Sequence, residues 1–200
     1  MSAAAGLGAA ALLGFVLGSV PFGLLLARAT GKGDLRRIGS GNIGATNALR
    51  AGGPWLGAAT LLLDAGKGGA GVSLGQALAG SEGALAGALA AFLGHLFPPW
   101  LGFRGGKGVA TMLGAAATLL PGAGLAFAAV WLGVVAATRL SSAGGMAAAL
   151  AAPVVALALG HGPVAAVLAV MALLLLWKHR ANLARLRAGT EPRIGTRGRG

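Results

Sequence analysis

A short glycine-rich segment, residues 39–50 (GSGNIGATNALR), brings together residue types that bind phosphate. Its glycines leave backbone N–H groups open to close approach. Its hydroxyl and amide side chains add uncharged donors, and its arginine adds a planar guanidinium that matches phosphate oxygens. Since strongly apolar segments flank it, we predict a phosphate cradle at a membrane surface. The candidate residues are Ser40, Gly41, Asn42, Asn47 and Arg50.

A second glycine-rich basic block, residues 94–111 (GHLFPPWLGFRGGKGVAT), ends one apolar run and opens the next. We predict that its glycines and lysine lie at a helix N-terminus, where unpaired N–H groups and the helix dipole favour an anion. It is not a Walker A loop, because Lys107 is followed by Gly108. A plain glycine turn with a lysine that reaches the interface is the alternative. The candidates are His95, Arg104, Gly105, Gly106 and Lys107.

A third block, residues 178–191 (KHRANLARLRAGTE), continues the last apolar run with basic residues. His179, Asn182 and Arg185 recur at three-residue spacing, which places them on one face of a helix. The pattern is also typical of a basic helix at a membrane surface. Lys178, His179 and Asn182 are the candidates here.

Two ionisable residues, Asp64 and Lys67, lie inside an otherwise apolar run. Charges in a bilayer are costly and are usually paired or functional. Three residues apart on a helix, the two side chains can neutralise each other, or Lys67 can contact a ligand. The sequence leaves both alternatives open.

The composition indicates an all-α polytopic integral membrane protein, because 56% of residues are hydrophobic and only 10% are charged. The chain has no cysteine, which excludes disulfides and thiolate chemistry. The first apolar run lacks a preceding basic stretch, so we expect a mature helix rather than a signal peptide. Seven short transmembrane helices are predicted, near residues 4–27, 54–79, 83–98, 107–119, 122–138, 143–160 and 163–177.

The Lys and Arg residues predict the orientation, since they fall in alternate connections and after Trp177. By the positive-inside rule, the N-terminus is outside and the C-terminus is cytoplasmic. His161 then lies in a loop on the opposite side from the basic residues. We expect one transmembrane catalytic domain, residues 1–192, and a basic cytoplasmic tail, residues 193–200. The tail arginines are expected to meet anionic lipid rather than nucleic acid: Arg193, Arg197 and Arg199.

Acidic residues are scarce: the whole chain has Asp34, Asp64, Glu82 and Glu191. The chain therefore has few carboxylates for paired-carboxylate catalysis or for a carboxylate metal site, and we expect no metal and no cofactor. An enzyme with these residues should use a substrate that is already activated and should work by holding and neutralising phosphate.

Taken together, the three blocks and the segment 64–68 (DAGKG) resemble the bacterial acyl-phosphate:glycerol-3-phosphate acyltransferases, the integral-membrane PlsY family. The resemblance runs from about residue 14 to residue 191. It implies transfer of a fatty acyl group from acyl phosphate to the 1-hydroxyl of glycerol 3-phosphate, giving lysophosphatidic acid and phosphate. It also implies seven short helices and a cytoplasm-facing site in the bacterial inner membrane, within phospholipid biosynthesis. Neither acyl-CoA nor acyl carrier protein is expected as the donor.

We expect phosphate to be held by the backbone N–H groups of the two glycine loops and by the side chains of Ser40, Arg50, Lys107 and Asn182. The acceptor phosphate or its hydroxyl is expected to contact Asn42, Asn47, Lys67, Arg104, Lys178 and His179. His179, His95 and a substrate phosphate all remain candidates for the base. The acyl chain is expected between Gly/Ala-rich helices that open to the bilayer lipid.

Two other classes of function fit parts of the pattern. A small carrier for anions or phosphate esters also binds its ligand at broken helices. Against it, no internal repeat relates the halves of the chain, and the basic blocks are expected on one face. A structural membrane scaffold leaves the three polar blocks unexplained.

Overall fold

The computed structural model describes residues 2–195 and divides into two compact units, residues 1–119 and 120–200, which are described separately. Within the described residues the secondary structure is entirely helical. The first unit contains α1 (Ala3–Gly18), α2 (Phe22–Ala29), α3 (Ala45–Gly52), α4 (Pro54–Leu96) and α5 (Val109–Leu119). The second contains α6 (Pro121–Thr138), α7 (Ser141–Ala158), α8 (Gly162–Lys178) and α9 (Arg180–Arg187). The prediction of an all-α membrane protein is confirmed.

The long helix α4 is a helical hairpin. Its backbone leaves the helical region at Ala79 and Gly80, and Gly80 has a φ of +61°, which favours glycine. The two halves then pack against each other so closely that a side chain at Gly75 would overlap the Gly83 carbonyl. Small residues allow this approach where lipid supplies no hydrophobic drive between helices. The predicted break between residues 79 and 83 is confirmed.

The first predicted helix, residues 4–27, is wrong as a continuous helix. It is broken between α1 and α2, where Pro21 precedes α2 and lacks an N–H group. Ser19 Oγ donates to the Val16 carbonyl at 2.6 Å, which satisfies one of the last acceptors of α1. The apolar run hides this break because its hydrophobicity continues through the bend.

The first unit is organised around α4, against which α1, α2, α3 and α5 pack. In the second unit, α7 packs against both α6 and α8. A bend of 59° at His179 separates α8 from α9. The start of the predicted tail contacts the end of α6, since Arg193 donates to the Thr138 carbonyl at 2.9 Å. Arg197 and Arg199 lie outside the described residues.

Four helical segments among residues 2–195 are long and apolar enough to cross a membrane: Ala3–Ala29, Pro54–Leu101, Pro121–Thr138 and Ser141–Ala158. The bent pair α8 and α9 would be a fifth. When the two halves of α4 are counted separately, apolar helical segments occupy all seven predicted runs. How many of them cross the membrane, and on which side the termini lie, stay predictions.

Candidate active site

The first glycine-rich loop is organised by one buried amide, Asn47. Its Nδ2 donates to the carbonyls of Leu35, Ile38 and Asn42 at 2.8–2.9 Å, and its Oδ1 accepts from the Ser40 N–H at 3.1 Å. Both polar atoms of the side chain are therefore used inside the loop. Asn47 thus holds the loop in shape, and its contact with substrate stays a prediction.

Four N–H groups of the predicted backbone cradle have partners within the protein. In the first loop, the Ser40 N–H binds Asn47, and the Gly41 N–H donates to the Ile38 carbonyl at 3.0 Å. In the second loop, the N–H groups of Gly105 and Gly106 donate to the carbonyls of Leu96 and His95, each at 3.1 Å. These four N–H groups are used within the protein, by three backbone carbonyls and the Asn47 side-chain oxygen, so a phosphate contact in these loops would use side chains or other N–H groups.

The second loop lies against the C-terminal end of α4 rather than at the start of the next helix. Gly105 and Gly106 bind the last carbonyls of α4, and α5 begins only at Val109. The prediction that these glycines and Lys107 form a helix N-terminus is therefore wrong. Lys107 is half-buried, two residues before α5.

The two loops line a common cavity of about 550 Å³ in the first unit. Leu101 of the second loop packs against the buried cluster that includes Leu35, just before the first loop, and Ile43 within it, which joins the two loops. Arg36, three residues before the first loop, and Arg104 of the second loop both line the cavity, and no acidic side chain lies among the described lining residues. The lining residues are Arg36, Gly41, Ile43, Leu101, Gly102, Arg104 and Gly105.

Asp64 and Lys67 form a buried ion pair within α4. Lys67 Nζ lies 2.6 Å from Asp64 Oδ1, and both side chains are at most 3% exposed. The same ammonium donates to the Val20 carbonyl at 2.9 Å and lies 5.7 Å from the centre of the Phe22 ring. The structure thus shows the pairing that was one of the two predicted alternatives, and contact of Lys67 with a ligand stays a prediction.

His95 lies in the same buried cluster, where its Nδ1 is 3.7 Å from Asp64 Oδ1. Its side chain is 4% exposed, and Gly106 passes so close to the ring that a side chain there would overlap it. Its predicted contact with phosphate and its possible role as the base stay predictions. His95 instead joins α4 to the second loop through its own carbonyl.

In the second unit, the Glu191 carboxylate accepts three hydrogen bonds. The donors are Ser142 Oγ and Asn182 Nδ2 at 2.6 Å, and Arg185 Nε at 2.7 Å. The predicted shared face of Asn182 and Arg185 is thus confirmed. Burial raises the pKa of Glu191, but the three hydrogen bonds and the charge of Arg185 outweigh it and hold the pKa below its ordinary value.

His179, at the bend between α8 and α9, is 2% exposed. Its Nδ1 lies 2.8 Å from the Leu175 carbonyl, which can only accept, so Nδ1 carries the proton in the neutral ring. The lone pair of the neutral ring is then on Nε2. Lys178, next to it, is half-buried with Nζ 5.8 Å from the Trp177 ring centre.

The remaining candidates of the first unit lie near its surface. Ser40 and Arg50 are exposed, Arg50 in the last turn of α3, and Asn42 is half-buried with its carbonyl bound to Asn47. Of the predicted residues, the structure gathers Gly41, Arg104 and Gly105 around the cavity.

Sequence reasoning missed three residues that the structure makes prominent: Arg36, Asp34 and Glu191. An acidic residue two positions before an arginine, just ahead of the glycine run, is a signal that could have found the first two. Glu191 is the one acidic residue after Glu82 and ends the third block.

Fold and site together define a class: a polytopic helical membrane protein with basic, glycine-rich loops suited to a phosphate compound. A family model described as glycerol-3-phosphate acyltransferase matches residues 8–189. The chain belongs to the glycerol-3-phosphate acyltransferase family.

Relatives of similar length share this description. A glycerol-3-phosphate acyltransferase of Rhizobium etli is 54% identical over 190 residues, which cover 95% of this chain and 92% of the relative. One from Methylorubrum populi is 56% identical over 193 residues, covering 95% and 94%.

A solved structure has a similar fold: PlsY (YgiH), an integral membrane glycerol 3-phosphate acyltransferase, in its glycerol 3-phosphate form. It is 35% identical, with a TM-score of 0.90 over 95% of this chain and 96% of that one. The lysophosphatidic acid form of PlsY is 34% identical, with a TM-score of 0.87 over the same shares.

Proposed function

We propose that the protein transfers a fatty acyl group from acyl phosphate to the 1-hydroxyl of sn-glycerol 3-phosphate, giving lysophosphatidic acid and phosphate. The observation that carries the proposal is the cavity between the two glycine-rich loops, lined by Arg36 beside the first loop and by Arg104 of the second, in a chain of this family. The glycerol 3-phosphate and lysophosphatidic acid forms of the solved relative support the same acceptor and product.

The choice of donor rests on chemistry. Acyl phosphate is a mixed anhydride whose phosphate is a good leaving group, so the enzyme has little activation to supply. The chain has four acidic residues and no cysteine, which suits a substrate that arrives activated. Neither acyl-CoA nor acyl carrier protein is part of the proposal.

The reaction balances without a cofactor. The 1-hydroxyl oxygen attacks the acyl carbonyl carbon, a carbon–oxygen ester bond forms, and the bond from that carbon to the phosphate oxygen breaks. The phosphate leaves with the electron pair, and the hydroxyl proton passes to a base or to a phosphate oxygen. Cationic side chains lower the barrier by stabilising the negative charge on the departing phosphate.

Phosphate is proposed to be held by side chains together with loop N–H groups other than the four that bind carbonyls and the Asn47 amide. The side chains are those of Ser40, Arg50 and Lys107 in the first unit and Asn182 in the second. Further roles in substrate binding are proposed for Gly41, Asn42, Asn47, Lys67, His95, Arg104, Gly105, Gly106 and Lys178.

Of the two predicted histidines, His95 and His179, His179 is the stronger candidate for a base. Its Nδ1 proton is directed at the Leu175 carbonyl, so the neutral ring has its lone pair on Nε2, which can accept a proton. A phosphate oxygen of the substrate remains the alternative acceptor.

The cellular setting is part of the proposal. We place the enzyme in the bacterial inner membrane with seven spans, the N-terminus outside and the site facing the cytoplasm, as the distribution of Lys and Arg supports. Residues 1–192 are proposed to act as one catalytic domain, followed by the basic tail 193–200. The acyl chain would lie among the Gly/Ala-rich helices, in contact with lipid.

The test is turnover by purified protein in detergent. Palmitoyl phosphate and glycerol 3-phosphate are supplied, and phosphate and lysophosphatidic acid are both quantified. Equal formation of the two products, without activity from palmitoyl-CoA, supports the proposal. Arg50→Ala and Lys107→Ala are expected to lower kcat/KM by roughly a hundredfold or more while the protein remains monodisperse.

His161→Ala is the matched control, because His161 is exposed in the connection between α7 and α8. It should retain the wild-type rate. No turnover by folded wild-type protein would favour the anion carrier, which needs two compartments to show transport. Wild-type rates in both Arg50→Ala and Lys107→Ala would overturn the phosphate roles.

A further inference from the structure

Arg36 is a cavity residue that the glycine-rich pattern does not include. It ends the 3₁₀ turn Leu35–Arg37 and lines the 550 Å³ cavity together with Arg104 of the other loop. Two arginines from separate connections thus line one cavity. Such a pair suits a phosphate dianion, whose oxygens can accept from more than one planar fork at once.

Asp34 holds the Arg36 side chain in place. Arg36 Nε donates to Asp34 Oδ1 at 2.9 Å and to Oδ2 at 3.1 Å, and Nη2 donates to Oδ2 at 2.5 Å. A guanidinium has five N–H donors, so this pairing leaves Nη1 and one hydrogen of Nη2 for another acceptor. The carboxylate also accepts from the Arg36 backbone N–H at 3.0 Å, which closes the turn.

The backbone beneath this pair is fixed by burial. Leu35, between the two residues, is fully buried in the cluster that includes Leu24 and Leu56. The Leu35 carbonyl accepts from Asn47 Nδ2 at 2.9 Å. Arg36 is therefore presented by a rigid turn, which lowers the entropy that is lost when a ligand binds.

The lining of the cavity indicates which substrate it suits. All seven lining residues belong to the 3₁₀ turns Leu35–Arg37 and Pro99–Leu101 or to the connections beside them, and none to an α-helix. A small phosphate ester that arrives from water fits such a site, whereas a donor with a long acyl chain needs the apolar helices. Ile43 and Leu101 supply apolar surface of a size that suits a three-carbon backbone.

We infer that Arg36 and Arg104 bind the phosphate of glycerol 3-phosphate, and that Asp34 is the positioning residue that directs Arg36 at it. The inference rests on the proposed function for the identity of the acceptor. It adds a phosphate-binding residue, Arg36, from outside the three sequence blocks, and it gives Asp34 a role that depends on Arg36.

The experiment compares Arg36→Gln with Arg37→Gln in steady-state kinetics. Arg37 is the matched control, because it is also exposed and has the same charge but does not line the cavity. Arg36→Gln should raise the KM for glycerol 3-phosphate roughly tenfold or more, with kcat and the KM for palmitoyl phosphate nearly unchanged. Arg37→Gln should leave all three parameters within about twofold of wild type.

Asp34→Asn tests the positioning role. It should raise the KM for glycerol 3-phosphate less than Arg36→Gln does, and the double variant should be no worse than Arg36→Gln alone. If Arg36→Gln cannot be purified, Asp34→Asn carries the same test, since the amide keeps the cap of the turn. An additive double variant, an unchanged KM in Arg36→Gln, or an equal effect of Arg37→Gln would overturn the inference.

Direct binding separates this inference from the proposed function. Glycerol 3-phosphate, inorganic phosphate and glycerol are titrated calorimetrically into wild-type protein and Arg36→Gln. Binding of glycerol 3-phosphate that weakens in Arg36→Gln supports the site even if palmitoyl phosphate is not turned over. Equal binding in both proteins overturns the site even if the wild type is an active acyltransferase.

Discussion

Two ion pairs of the first unit have similar contact distances but opposite surroundings. Lys67 and Asp64 meet at 2.6 Å with both side chains at most 3% exposed. Arg36 and Asp34 meet at 2.5 Å with 44% and 21% of their side chains exposed. Burial changes what a pair can do: the first must remain together to be tolerated, while the second keeps hydrogen atoms that can bind a ligand.

The buried pair also holds two elements together. Lys67 Nζ donates to the Val20 carbonyl at the break between α1 and α2, where the Phe22 N–H also donates to this carbonyl at 3.1 Å. Asp64 Oδ1 lies near His95, whose carbonyl binds the second loop. Charges within an apolar helix thus position the backbone around the site.

The largest predicted effect comes from breaking the buried pair. Lys67→Met removes one charge and leaves Asp64 buried without it, which should cost about 3–5 kcal/mol of stability. Thermal unfolding in detergent and size-exclusion profiles measure the loss. The double variant Asp64→Leu/Lys67→Met removes both charges and should recover most of the stability. A single variant as stable as the wild type would show that the pair is not structural.

A pair of intermediate burial, Glu191 with Arg185, sharpens the comparison. Glu191 is 7% exposed and Arg185 is 37% exposed. Glu191→Gln removes the charge but keeps the shape, and should cost roughly 1–3 kcal/mol at neutral pH because three donors lose a carboxylate. Glu82→Gln, at an exposed position, is the control.

The stability difference between the wild type and Glu191→Gln should depend on pH in a definite direction. The pKa of Glu191 lies below its ordinary value of 4.5 in the folded protein, so its stabilisation is present above that value. It is lost as the pH falls through the folded-state pKa. The unfolding temperature of the wild type should therefore approach that of Glu191→Gln on acidification, and a constant difference would contradict this.

Local sequence signals predicted the helices and most of their breaks. Gly80 marks the turn of α4 and Pro121 begins α6, because glycine and proline act through their own backbone geometry. The seven apolar segments were predicted from the length and hydrophobicity of the runs, which are also local properties of the sequence. The break before Pro21 was missed, since its cause was a single residue inside a run that stayed apolar.

The roles of individual site residues depended on contacts that local patterns do not contain. Asn47 has the residue type of a phosphate ligand, yet its amide is used by carbonyls up to twelve positions away. Gly105 and Gly106 have the right flexibility, but the end of α4 takes their N–H groups. The sequence could not show that Arg36 rather than Arg37 faces the cavity, because adjacent residues of a loop are distinguished only by the tertiary fold.

The smallest predicted effect on stability belongs to the exposed pair. Asp34→Asn removes a charge that water and salt already screen, and Asn caps a turn about as well as Asp. The unfolding temperature should shift by less than about 4 °C, measured beside Lys67→Met under the same conditions. Hydrogen bonds from Arg36 keep the pKa of Asp34 below its ordinary value, so the residue is charged at every assay pH near neutrality.

The change in KM for glycerol 3-phosphate that Asp34→Asn causes should therefore be nearly constant across neutral pH. A loss of stability as large as that of Lys67→Met would mean that the exposed pair is structural after all. A variant that keeps its stability and loses affinity for the acceptor would instead separate the two pairs by function, since only the pair with free guanidinium hydrogens can bind a ligand.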